Sequence, residues 1–344
     1  MENENSCCHP KSKWYTDKLI IASIIGILMM PITTFLTNDV GLIIYGVSFF
    51  KETWFPISLG LLIGGLIEYY IPRNYIEKLL ANPKKRTLLS AALIGSLLST
   101  CSHGILAISM QLYKKGASIP SVIVLLTASP WANFPITILL LKFFGLQGLL
   151  LIVISVFIAI ITGLIFRELD KKHLLDHYPS NNLKSFNDFS IRHDIKKRFK
   201  AYSFSISQCK IDIKGVFNGA VNLSNMVLTW FILALIMATY LGYYIPTQLF
   251  QQYLGNNLLG LFNTLLGASV IEVCSEGSSV LAFEIHKHTG ALGNVLVFLL
   301  AGVATDYTEI GLLWKTIGKK TAILLPIICI PFILLAGIAL NTFL

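Results

Sequence analysis

Nine apolar runs decide what this chain can become. They fall at Leu19–Leu36, 54–71, 88–113, 118–144, 147–166, 216–244, 258–285, 291–314 and 320–343. A helix needs about 20 apolar residues to cross a ~30 Å hydrocarbon core, and several of these runs reach that length. They are continuous rather than alternating, which excludes a transmembrane barrel. Apolar residues make up 54% of the chain and charged ones only 13%, where soluble domains carry roughly 25% charge. A soluble enzyme is therefore excluded, in line with the mean hydropathy of +0.69. The expectation is an all-α polytopic membrane protein, multi-pass in the cell (cytoplasmic) membrane.

The 27 Lys and Arg outnumber the 18 Asp and Glu, for a net charge of +9, yet they sit almost wholly between the apolar runs. That placement reads as membrane topology, not as a nucleic-acid surface. Lys11, Lys13 and Lys18 precede a first run that is too long for a signal-peptide core and lacks a small-residue cleavage site. Residues 1–18 are expected to form a disordered cytoplasmic tail, and 19–37 a retained transmembrane helix. Eleven basic residues crowd into Arg167–Gly215, expected as a basic cytoplasmic loop over 168–214. Within it, Ile191–Tyr202 reads as a solvated segment or, alternatively, as a basic helix on anionic headgroups. Cys7, Cys8, Cys101, Cys209, Cys274 and Cys329 follow no disulfide frame, so free thiols are expected.

An internal repeat divides the remainder. Thr53-Trp54-Phe55 and Tyr69-Tyr70-Ile71-Pro72 recur as Thr229-Trp230-Phe231 and Tyr243-Tyr244-Ile245-Pro246. Cys101-Ser102-His103-Gly104 recurs 173 residues later as Cys274-Ser275-Glu276-Gly277. The same offset carries Asn133 onto Asp306, Lys142 onto Lys315 and Gly145 onto Gly318. The expected organisation is permease repeat 1 over 40–167 and repeat 2 over 215–344, with four hydrophobic segments in each. If all nine segments crossed, with the N-terminus inside, 12 cations would lie inside and 15 outside, against the positive-inside tendency. One re-entrant segment per half changes the split to 23 and 4, or to 24 and 3 if the Cys-containing segments dip instead. Either choice keeps the N-terminus and the 167–215 loop cytoplasmic and inverts one half relative to the other, as in many secondary transporters. Ser129-Pro130-Trp131-Ala132-Asn133-Phe134-Pro135 places two prolines inside one segment, and Cys101–Gly104 puts small and polar residues in another. Broken or re-entrant helices are expected there, a simple proline kink being the plainer alternative.

Glu272, Glu276, Asp306 and Glu309 fall within apolar segments of the second half. A carboxylate near the bilayer centre costs about 2.5–3.5 kcal/mol, so four invite a function in proton or cation coupling. Spacings of i, i+4 and i, i+3 would put each pair on one helix face, and like charges that close favour a bound proton or cation. The plainer alternative places them at the interface or beside a lysine such as Lys287. The repeat sets Cys101 opposite Cys274 and His103 opposite Glu276. Converging with Ser102, Ser275, Asn133 and Asp306, they would form a substrate site. Cys101, His103, Cys274 and Glu276 would be the donors in it for a soft or borderline metal. A buried Cys acting as a small hydrophobe and a His in the core are the plainer readings. Cys7-Cys8-His9 forms a second thiol-rich spot in the tail, and His286, Lys287 and His288 read as an interfacial anchor. No Walker A loop or soluble catalytic domain is present. Neither an enzyme nor a cofactor is expected, and an ion gradient would drive transport.

The first half thus carries Cys101-Ser102-His103-Gly104, Lys115-Gly116-Ala117-Ser118 and Pro130-Trp131-Ala132-Asn133. The second carries Cys274-Ser275-Glu276-Gly277 and Ala301-Gly302-Val303-Ala304-Thr305-Asp306. Over roughly 54–145 and 216–342 this resembles the bacterial predicted-permease family that includes the organoarsenical efflux permeases. Members of that family carry a Cys-Ser-Cys-Gly element, a Lys-Gly-Ala-Ser loop and a Pro-x-x-Asn break in each of two related halves. The resemblance implies a cytoplasmic-membrane permease, with export of trivalent organic arsenicals as one activity of the family. Here His103 and Glu276 replace the motif's second cysteine, and Asp306 and Val303 stand where the second break would carry Asn and Pro. Fewer thiols and more carboxylates shift the expectation toward a proton-coupled cation or a borderline metal. The expected function is a secondary efflux permease for a soft metal, metalloid or small sulfur-containing solute. The alternative is a non-transporting membrane scaffold or sensor that uses the basic loop and the thiol tail. Expected partners are membrane lipids and a small-molecule or ion substrate, with no nucleic acid.

Overall fold

The computed structural model describes residues 18–37, 40–70, 85–97, 102–114, 117–176, 206–271 and 275–343. Their regular structure is entirely α-helical, in fourteen helices. α1 spans Lys18–Thr37, α2 Gly41–Tyr70, α3 Lys85–Leu97, α4 Ser102–Lys114, α5 Ile119–Ala132, α6 Phe134–Phe144 and α7 Leu146–Lys171. α8 spans Ile206–Tyr244, α9 Thr247–Leu254, α10 Leu258–Val270, α11 Ser275–Thr289, α12 Leu292–Thr305, α13 Tyr307–Thr316 and α14 Lys319–Phe343. Among the described residues α7, α14 and the combined Leu292–Thr316 stretch are long and apolar enough to cross a membrane. Two bent pairs, α5 with α6 at 46° and the end of α8 with α9 at 106°, raise the number to five. The protein is a multi-pass helical membrane protein.

Helix starts follow the 173-residue offset found in the sequence. α3 to α7 begin at 85, 102, 119, 134 and 146, and α10 to α14 at 258, 275, 292, 307 and 319. Packing follows it too: α5 is held by α3, α4 and α7, and α12 by α10, α11 and α14. The apolar runs 88–113 and 258–285, each read as one segment, are two helices apiece. Gly145, at φ 57°, and Gly318, at φ 150°, end the corresponding helices α6 and α13 in backbone that an L side chain resists. The chain can therefore turn and start a new helix within one or two residues.

The core lies around α5 and α12, which touch each other and are apolar on nearly every side. α7 and α14 pack outside them and expose residues such as Val153, Phe157, Ile327 and Leu335, as lipid-facing helices do. The longest pairing joins α2 to α8. These two run antiparallel, with the Tyr45 ring near that of Tyr243 (6.2 Å) at one end and Tyr69 Oη donating to Asp212 Oδ1 (3.0 Å) at the other. Gly215 and Gly219, four apart, let α8 approach α2, and a Cβ on Gly65 would lie 2.5 Å from the Ala220 backbone nitrogen. α7 and α14 also run antiparallel: Thr162 meets Cys329 at 3.5 Å, while Asp176, past the end of α7, accepts from Lys320 N at the start of α14 (3.2 Å). α8 starts at Ile206, ahead of the expected boundary at 215. Its polar first turns find partners, since Gln208 Nε2 donates to Asp212 Oδ1 at 3.0 Å beside the Tyr69 bond.

Candidate functional site

The two sequence breaks are real breaks in the helices, and both are capped in the same way. Asn133 ends α5 in extended backbone, and its Oδ1 accepts from Ile136 N at 2.9 Å, opening α6. Asp306 does this between α12 and α13: its Oδ1 accepts from Thr308 N (2.7 Å), Glu309 N (3.0 Å) and Thr308 Oγ1 (2.5 Å). A helix start inside a membrane carries N–H groups that no preceding turn can satisfy, and Asn and Asp are the side chains suited to accept from them. Proline is dispensable, since the second break has Val303 and Thr308 where the first has Pro130 and Pro135. The elements before each break are fastened in parallel ways. Ser129 Oγ donates to Gly95 O (2.9 Å), joining α5 to α3, and Thr305 Oγ1 donates to Ser269 Oγ (3.0 Å), joining α12 to α10.

This geometry corrects the idea that Asp306 and Glu309 share one face of a regular helix. The helix stops between α12 and α13, so Asp306 is a cap and Glu309 lies in the first turn behind it. Both are buried, Asp306 at 5% and Glu309 at 0% exposure. Glu276, 3% exposed, lies in the first turn of α11, where Ser275 Oγ donates to its Oε2 at 3.1 Å. All three carboxylates thus sit at helix N-termini, where the helix dipole favours negative charge. At the corresponding positions the first half carries His103, Asn133 and Ile136.

Contacts between the halves set these helix starts level with one another. Phe143, nine residues past Phe134 at the start of α6, stacks on Phe283, eight past Ser275 at the start of α11, with ring centroids 4.4 Å apart. Thr316 Oγ1, nine past the start of α13, reaches Met110 Sδ, eight past the start of α4, at 2.6 Å. The 173-residue offset converts one contact into the other. α2 meets Phe143 and Phe283 at Phe49, Pro135 at Gly60 and Lys287 at Tyr45. α6 and α11 therefore both run antiparallel to it and lie side by side with first turns at one height, and the offset sets α13 beside α4 likewise. That arrangement puts Asn133 level with Glu276, and Asp306 level with the start of α4.

A predicted permease family, ArsP_1, matches residues 43–342. The chain belongs to that family. A protein of Streptococcus mutans named "Putative two-component membrane permease complex subunit" is 22% identical over 267 residues, covering 77% of this chain and 83% of that protein. The UPF0718 protein YcgR of Bacillus subtilis is 23% identical over 295 residues, covering 82% and 90% respectively. No solved structure matches the chain significantly. Membership puts the chain among predicted membrane permeases.

Of the residues read from sequence in this permease, Cys101, Glu272 and Cys274 lie outside the described residues, as do the tail, Cys7-Cys8-His9 included, and Ile191–Tyr202. Ser102 and His103 open α4, and their side chains lie outside the description too. The set Cys101, His103, Cys274 and Glu276 is thus described only at Glu276. Among the described residues no three His, Cys, Asp or Glu gather so as to hold a metal ion. The described cysteines, Cys209 and Cys329, are free thiols.

Sequence reasoning passed over Glu284, a fifth carboxylate in the second half. It is 2% exposed near the end of α11. Tyr45 Oη, from the part of α2 ahead of the apolar run 54–71, donates to its Oε2 at 2.7 Å, and Lys287 Nζ donates to Tyr45 Oη at 2.6 Å. His288 Nε2 stands 3.4 Å from Oε2, its ring stacked on Phe250 of α9 and its Nδ1 3.0 Å from Thr247 Oγ1. Burial and the adjacent Glu284 carboxylate raise the Tyr45 phenol above its ordinary pKa. The residues read as an interfacial anchor thus tie α2 and the α8–α9 bend to α11. An acid between Phe283 and Ile285 in an apolar run was the available signal. Its partner Tyr45, 239 residues away, left none.

Proposed function

We propose that this permease is a secondary transporter of the cytoplasmic membrane. In this reading two inverted halves rock about the paired breaks and export a small solute against an ion gradient. The inversion draws support from the antiparallel courses of α2 with α8 and of α7 with α14, each pair related by the internal repeat. The observation that carries the reading is the placement of Glu276, Asp306 and Glu309 at the buried starts of α11 and α13. Carboxylates there exchange protons or a cation as the halves move, while Asn133 supplies a neutral cap opposite them. Cys101, Ser102, His103, Cys274 and Ser275 complete the substrate site, and their donor chemistry suits a soft metal, a metalloid or a small sulfur-containing solute. Glu272 completes the coupling set. The N-terminus and the basic loop face the cytoplasm.

Flux through proteoliposomes tests this reading, with a pH gradient imposed and trivalent arsenicals, soft divalent metals and thio-anions offered in turn. Uptake of one class that collapses in Glu276→Gln and responds to the gradient is the expected result. A flux of zero for wild type and variant alike would favour the scaffold or sensor, which tolerates Glu276→Gln. The Streptococcus relative's name as a complex subunit motivates a parallel arm in which the chain is reconstituted with a co-purifying membrane partner.

A further inference from the structure

The end of α7 gathers charge, with Arg167, Glu168, Asp170 and Lys171 in its last turns. From Gly148 to Phe166 the helix carries no ionisable residue, a stretch of roughly 28 Å at ~1.5 Å per residue, close to the thickness of the hydrocarbon core. Arg167 is the first charge after it, at headgroup depth. There a half-open cavity of ≈ 370 Å³ is lined by Arg167, Asp170 and Lys171 of α7, His173 just past its end, Ser118 ahead of α5, and Leu88 of α3. Among the described residues Arg167 Nη1, sealed from solvent, meets no acceptor. A buried donor left unmatched costs about 1–3 kcal/mol, more when charged, so this nitrogen of Arg167 is short of an acceptor.

The start of α5 adds to the same deficit. Ser118 occupies the cap position, but its hydroxyl pairs with Ser121 Oγ at 2.8 Å and makes no cap bond to the helix. The second half shows what a closed version looks like. At the corresponding start of α12, Asn341 Oδ1 from α14 accepts from Gly293 N at 2.7 Å, and Asn341 Nδ2 donates to Asn294 Oδ1 at 2.8 Å. The counterpart of Arg167 there is Leu340. Glu168, the counterpart of Asn341, is exposed and pairs with Lys171 at 2.7 Å. One half closes this corner with neutral amides, and the other leaves it open, with Arg167 beside Asp170 in the cavity wall and Lys171 drawn to Glu168.

We propose that this pocket is a phosphate-binding site, with Arg167 giving paired N–H bonds to two phosphate oxygens and the start of α5 facing a third. The phosphate comes from a phospholipid headgroup or from free inorganic phosphate, and headgroup depth suits the first. Arginine fits this task because its planar fork matches two oxygens at once. The site does not depend on the transport reading above.

The test uses the full chain in detergent. Phosphatidylglycerol, a phosphate-free glycolipid and inorganic phosphate are titrated separately, and binding is read by native mass spectrometry and by the thermal midpoint. Phosphatidylglycerol should bind saturably, and Arg167→Gln should weaken it by roughly tenfold. Arg167→Lys, which keeps the charge and loses the fork, should fall between, and it replaces the glutamine variant if that one fails to fold. Lys172→Gln changes net charge equally outside the cavity and should bind as wild type. Displacement of the lipid by inorganic phosphate would identify free phosphate as the ligand, and no displacement the headgroup. Equal binding of the glycolipid, wild-type affinity in Arg167→Gln, or an equal loss in Lys172→Gln would each overturn the proposal.

Discussion

Replacing Asp306 by alanine and by asparagine separates two roles that one side chain combines. Its Oδ1 holds two backbone N–H groups of α13 and the Thr308 hydroxyl, and the bond from Glu309 N is fully buried. Removing an N-cap costs ~0.5–2 kcal/mol, and a buried N–H left without an acceptor costs ~1–3 kcal/mol. These terms overlap, so Asp306→Ala is expected to lose about 2–4 kcal/mol. Asp306→Asn keeps an acceptor at the same atom, as Asn133 does in the other half, and Asn and Asp cap almost equally. Its loss should stay within about 1 kcal/mol, the difference between a charged and a neutral acceptor. Thermal unfolding in detergent measures the first quantity and proteoliposome flux the second. The expected pattern is a destabilised alanine variant, and an asparagine variant that folds normally with flux reduced at least roughly tenfold. Wild-type flux in Asp306→Asn would remove charge from the proposed mechanism. An unchanged midpoint in Asp306→Ala would refute the capping argument itself.

Gly65→Leu should unfold at markedly lower temperature or fail to assemble, because its Cβ would lie 2.5 Å from the Ala220 backbone; normal expression and melting would contradict the α2–α8 crossing. Gly242→Ala puts a Cβ 2.2 Å from Glu284 Oε2 and 2.6 Å from Tyr45 Oη, so a loss of about 1–3 kcal/mol is expected, and Tyr45→Phe in the same background should add little further loss. Full additivity of those two substitutions in a melting experiment would show that they do not share the tie. His286, in the last turn of α11 beside Phe144, has its pKa lowered by burial, so the unfolded chain binds its proton more readily. Stability should therefore hold above about pH 6.5 and decline as pH falls below it. His286→Gln should flatten that decline, and an equal decline in both proteins would acquit this histidine.

Much of the architecture was legible because it is written twice. The 173-residue offset between Cys101-Ser102 and Cys274-Ser275 is also the offset between five successive helix starts. The break at Asn133 was visible through Pro130 and Pro135. The one at Asp306 was visible only through its counterpart, since Val303 and Thr308 carry no breaking signal. Periodicity could not show that Asp306 caps a helix instead of sharing a face with Glu309, because spacing is read on the assumption of an unbroken helix. The start of α8 was hidden for another reason. Gln208 and Asp212 look like loop residues until Tyr69 from α2 is beside them. Glu284 was hidden likewise, since its burial depends on Tyr45, Lys287 and His288 arriving from elements far apart in the chain.

The contrast between the halves bears on which of them carries charge. Both use a short helix beginning inside the protein, and each such start carries roughly half a positive charge. In the first half the described response is neutral: Asn133 accepts from the backbone and has no proton to gain or lose in any ordinary pH range. In the second half two helix starts, those of α11 and α13, face three buried carboxylates. Fully ionised, those groups bring three negative charges against about one positive charge from the two helix ends. About two negative charges would remain uncompensated by the helices in a medium where each costs several kcal/mol. In the proposed mechanism two halves sharing one backbone design divide the work, one break holding a neutral cap and the other holding the carboxylates assigned to coupling.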